Sequence, residues 1–69
     1  MKTLQDRLLA AHARDDRKAL VTLYAEAADN TNNVDAACFY LTHAYIFALE
    51  LGDPVSEVLY QRLKAEGRV

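Results

Sequence analysis

Tryptophan is missing from this chain, and cysteine, methionine and proline occur once each and glycine twice in 69 residues. The lone Cys38 excludes an internal disulfide, and two scattered histidines, His12 and His43, supply no ligand spacing for a metal framework. Scarce glycine and proline, beside 52% hydrophobic residues, exclude a disordered or low-complexity chain and suit helices. Lysine and arginine are absent between Ala19 and Gln61, where six acids stand: Glu26, Asp29, Asp35, Glu50, Asp53 and Glu57. That stretch repels phosphate and anionic lipid, and the net charge of −2 favours neither. No hydrophobic run reaches the roughly 20 residues of a membrane span. The run from Ala36 to Leu51 is shorter and carries His43 and Glu50, which reads as core. Met1-Lys-Thr-Leu-Gln-Asp-Arg7 turns polar at once, unlike a secretory signal, so residence in the cytoplasm is expected. A phosphate-cradling glycine loop, a nucleophile elbow and paired catalytic carboxylates are also lacking, so neither enzymatic activity nor a cofactor is expected.

What is present is a set of helix start and stop signals that divides the chain into four helices within a single all-helical domain covering residues 1–69. Thr3 with Asp6 forms a capping-box-like start, and Leu4, Leu8 and Ala11 follow at helical spacing towards an end near Arg14. Asp15 or Asp16 caps a second helix with Ala19, Leu20, Leu23, Tyr24 and Ala27 on one face, ending at Asp29-Asn-Thr-Asn-Asn33. A third helix starts from Asn32 or Asn33 and runs to Leu51. Gly52 supplies its left-handed end, Asp53 caps the fourth helix and Pro54 occupies its first turn. Val55, Val58, Leu59 and Leu63 form one face of that helix, with Arg62 and Lys64 at its negative end and a stop at Gly67. The third helix is apolar almost all round, so it is expected to lie at the centre, with neighbours on most sides.

Short turns between helices one and two, and between three and four, imply two antiparallel hairpins, arranged as successive repeats or as a small helical bundle. Val21-Thr-Leu-Tyr24 matches Glu57-Val-Leu-Tyr60, and Asp15 and Asp53 stand at corresponding turns. In Leu41, Ala44 and Tyr45, in Gly52-Asp53, and in Asp15-Asp-Arg-Lys-Ala19-Leu20, the chain resembles the tetratricopeptide-repeat family. It departs from that family at Thr42, where a small glycine is usual, and at Glu57, where alanine is usual. The resemblance implies helical hairpins, with Phe39, His43 and Ile46 at positions that line the family's concave groove.

On a helical wheel of the third helix, Val34, Ala37, Cys38, Leu41, Ala44, Tyr45 and Ala48 share one broad face, extended by Ala36, Tyr40, Phe47 and Leu51, and this face is expected to be core. Opposite it lie Asp35, Thr42, His43 and Glu50, and among them Phe39 and Ile46. Two large apolar residues in a polar stripe are either covered by another helix or form a surface for a partner. Phe39, Thr42, His43, Ile46 and Glu50 are therefore the candidate partner-binding residues. His43 reads first as a structural histidine, and Cys38 as a small hydrophobe. His12 stands close enough to Asp15 and Asp16 for a surface pair, and the four tyrosines read as core edges with hydroxyls in water.

These features favour a small protein–protein interaction module that self-associates as a dimer, with no nucleic-acid or membrane partner. An alternative is a nucleic-acid-associated regulator using Arg7, Arg14, Arg17 and Lys18 around the first inter-helix turn, against which net acidity argues. A small-ligand or enzyme function around His43 ranks last, because so short a chain leaves little room for a pocket.

Overall fold

The computed structural model describes residues 3–68. Four helices and no strand occur among them: α1 (Leu4–Ala13), α2 (Arg17–Asp29), α3 (Val34–Leu51) and α4 (Val55–Ala65). Side-chain caps account for the first three starts: Thr3 and Asp6 make a reciprocal capping box, Asp16 accepts from the Ala19 N–H, and Asn33 accepts from the Ala36 N–H. At α4 the N-cap is Pro54 and not the expected Asp53, so no side chain caps it; Asp53, one residue before, accepts from the Val55 N–H at 2.9 Å in a local turn. Gly52 closes α3 at φ 66°, and its neighbour's N–H, that of Asp53, returns to the Ala48 carbonyl. Asp15 adopts a left-handed φ of 53° in the first turn, a conformation that aspartate tolerates better than most residues.

The helices run up and down, and ion pairs mark the directions. Arg7 early in α1 meets Glu26 late in α2 at 3.2 Å, while Arg17 at the start of α2 meets Glu50 at the end of α3 at 3.8 Å. Arg62 of α4 reaches Asp29 of α2 at 2.5 Å. Consecutive helices pack on each other, with α2 against α3 the most extensive interface. One buried cluster joins Leu8 and Ala11 of α1 to Leu20 and Leu23 of α2. A second joins Val21 and Ala28 of α2 to Cys38, Leu41, Ala44 and Ala48 of α3 and Leu59 and Leu63 of α4.

The centre is shared by the two inner helices: α2 supplies buried residues to both clusters, while α3 supplies Cys38, Leu41, Ala44 and Ala48 to the larger and packs Phe47 against the smaller. α2 buries Val21 and Ala28 besides the expected Leu20, Leu23 and Ala27, because it is sandwiched between α1 on one side and α3 on the other. α3 has covered neighbours on one side only: Cys38, Leu41, Ala44 and Ala48 are buried. Three expected core positions are exposed instead. Val34 and Leu51 occupy the two ends of α3, where the long helix outruns the shorter ones packed against it. Val58 lies about 100° round α4 from Leu59, beyond the edge of the contact with α3. By length and composition alone, α3, with 18 residues and a mean hydropathy of 1.2, is long and apolar enough to cross a membrane, a reach the sequence reading did not grant it.

Candidate functional site

The stripe opposite the buried face of α3 is built by its own periodicity. Asp35, Phe39, Thr42, Ile46 and Leu49 recur at alternating steps of four and three, which on a helix keeps them on one side. Neither α1 nor the described part of the N-terminus covers it: Phe39 is 58% exposed, Leu49 53% and Ile46 50%. Leu49 belongs to this stripe although apolar periodicity does not single it out, since it falls between the core face and the polar one. The alternating spacing is the signal that would have found it.

The polar members of the stripe are occupied within the molecule. The Thr42 hydroxyl donates to the Cys38 carbonyl at 2.8 Å, and the His43 Nδ1–H donates to the Phe39 carbonyl at 3.0 Å. With Nδ1 so engaged, His43 keeps Nε2 as its free acceptor. Its ring lies against Phe39, with centroids 4.4 Å apart, and against Tyr24 of α2 at 5.1 Å. Glu50 is held by Arg17, and at the other end of the stripe Asp35 binds Arg68. The hydrogen bond from Arg68 to Asp35 is the main cause that raises the guanidinium above its ordinary pKa, and nearby Cys38 adds a smaller contribution. All five sequence-selected residues therefore share one surface, on which Phe39 and Ile46 expose apolar area and the polar side chains, apart from His43 Nε2, are engaged within the chain.

An aromatic array backs the stripe on the α2 side. Tyr24 touches His43, Tyr40 and Phe47, and its hydroxyl shares a hydrogen bond of 2.9 Å with His12 Nε2 of α1. His12 therefore pairs with Tyr24 and not with Asp15 or Asp16, because its position on the inner side of α1 faces α2, while Asp16 is committed to its cap and Asp15 to Arg17 at 3.8 Å. Tyr24 links both histidines and three helices, a role that spacing along the chain does not reveal.

Elsewhere the surface offers shallow concavities. A notch of about 250 Å³ between α3 and α4 is lined by Asn33, Val34, Cys38, Leu41, Arg62 and Glu66. A wider groove of about 590 Å³ runs along α2, with Val21, Ala25, Glu26, Asp29, Val55 and Leu59 on its walls. No three His, Cys, Asp or Glu side chains gather into a metal-binding group among the described residues. The basic residues of the first turn are dispersed into ion pairs: Arg7 with Glu26, Arg14 with Asp16, and Arg17 with Asp15 and Glu50. Comparison with protein-family models, with curated proteins and with solved structures finds no match to this chain.

Proposed function

We propose that this protein is a small non-enzymatic interaction module that associates with itself and with protein partners through the outer stripe of α3. The observation that carries the reading is the exposure of Phe39, Ile46 and Leu49 together on one side of one helix, between polar residues that are already hydrogen-bonded or ion-paired. An aligned apolar row costs solvation in the free chain and regains it when covered, whereas scattered apolar residues would carry no such meaning. The tetratricopeptide resemblance of the hairpins supports the same surface, since it places Phe39, His43 and Ile46 at groove positions. We read α3 as a packed helix of a cytoplasmic protein and not as a span, because its Cys38-Leu41-Ala44-Ala48 face is already covered by other helices and Asp35, His43 and Glu50 interrupt the outer one.

A nucleic-acid role for Arg7, Arg14 and Arg17 is disfavoured because each guanidinium has a carboxylate within 4 Å, leaving Lys18 to contact phosphate. Ile46→Ser tests the favoured reading. The variant is expected to keep its helical circular dichroism and nearly all of its stability as a monomer, while light scattering shows association falling sharply. Unfolding of Ile46→Ser at concentrations where the wild type is monomeric would make Ile46 ordinary core and remove the site.

A further inference from the structure

We infer that the occupant of the α3 stripe is the same stripe of a second copy, docked antiparallel about a two-fold axis at Thr42 and His43; this rests on the self-association proposed above. Apart from Leu49, whose mirror position is Ala36, the pattern along α3 is palindromic. Reading outwards from the point between Thr42 and His43, each direction meets an apolar anchor, Phe39 or Ile46, and then an acid paired with an arginine, Asp35 with Arg68 or Glu50 with Arg17. In an antiparallel pair, Phe39 of each copy lies against Ile46 of the other, so a flat ring meets a branched aliphatic chain at two equivalent places. Thr42, whose small side chain is folded back onto the Cys38 carbonyl, leaves space for close approach at the axis.

Charge does not choose the orientation: Asp35 of one copy comes beside the Glu50–Arg17 pair of the other, so each carboxylate gains a carboxylate neighbour together with a guanidinium. The helix ends do choose it, since the positive N-terminal end of α3 lies beside the negative C-terminal end of its counterpart. A parallel pair would bring like helix ends together and stack Phe39 on Phe39.

The area sets the strength. Phe39, Ile46 and Leu49 leave about half of their surfaces in water, on the order of 300 Å² of apolar area per copy. Doubled, and with the polar rim of Asp35, Thr42, His43 and Glu50 added, the buried total comes near the ~1,000 Å² at which specific interfaces begin. A reversible dimer with dissociation in the micromolar range is the result.

The test uses thiol cross-linking in a Cys38→Ala background, with Asp35→Cys and Glu50→Cys made separately, each shown to be helical, then mixed with a short bis-maleimide. Cross-linked tryptic peptides read by mass spectrometry are expected to join position 35 to position 50 several-fold more often than either position to itself. Same-site products in the majority would establish a parallel pair and overturn this orientation while leaving self-association intact. Absence of cross-linking in a chain that sediments as a dimer would overturn the use of this stripe between copies. A wild type that sediments only as a monomer would overturn both this inference and the self-association beneath it.

Discussion

Leu41→Ala gives the sharpest contrast between the two sides of α3. Leu41 is 4% exposed and belongs to the cluster that joins α2, α3 and α4 through Val21, Ala28, Cys38, Leu59 and Leu63. Truncation to alanine removes three buried carbons from a contact shared by three helices, so the lost transfer energy and the residual cavity together cost about 2 to 5 kcal/mol. A chain of 69 residues has a total stability of roughly 3 to 10 kcal/mol at the usual ~0.05–0.15 kcal/mol per residue. The single substitution therefore takes a large part of what holds the fold. Urea unfolding followed by circular dichroism at a concentration where the wild type is monomeric reads the effect. With a slope of about 1 kcal/mol per molar urea for so small a chain, the midpoint should fall by about 2 M or more, or the variant should be unfolded in buffer. Ile46→Ser under the same conditions should move the midpoint by less than about 0.5 M, as surface changes do. A shift below about 1 M for Leu41→Ala would refute the assignment of this face as the tightly packed one.

Further predictions concern the caps, the aromatic array and the ion pairs. Gly52→Ala forces a Cβ into the left-handed conformation at φ 66°, and thermal unfolding should register a loss of about 1 kcal/mol. Asp16→Ala removes the acceptor of the Ala19 N–H and should cost about 1 kcal/mol by the same assay. Tyr24→Phe deletes the hydroxyl bonded to His12, at about 0.5 to 1.5 kcal/mol, and should release the His12 ring resonances towards solvent-like shifts in an NMR spectrum. Glu50→Gln breaks an exposed pair with Arg17 at 3.8 Å and should lower stability by less than about 1 kcal/mol, an effect erased by added salt.

The local rules carried far in this chain, because caps act between residues two or three apart. Thr3 with Asp6, and Gly52, are legible without any tertiary knowledge, and α1 begins and α3 ends where these residues dictate, while α4 begins one residue beyond the expected cap, with Pro54 in that place. Packing was less legible. Apolar composition marks α3 as an inner helix, and it packs on both α2 and α4, yet apolarity reports what favours burial and not what is available to cover it; with α1 engaged on α2, the outer side of α3 has nothing over it. Val34 and Leu51 share the wheel positions of core residues but lie at the overhanging ends, information that depends on the lengths of neighbouring helices. Of the candidate stripe, Phe39 and Ile46 stood out as apolar residues on a polar side. Leu49 was hidden at the boundary between the faces, and the joining of His12 to Tyr24 depends on how α1 and α2 meet.

Sedimentation equilibrium of the wild type over a concentration series from low to high micromolar tests the central claim, that the exposed side of α3 is an association surface, most directly. The account predicts an apparent mass that rises with concentration from the 7.7 kDa of one chain towards twice that value, with Ile46→Ser remaining at the mass of one chain throughout. A wild type that stays at 7.7 kDa at every concentration, or an Ile46→Ser variant that associates as strongly as the wild type, would contradict it.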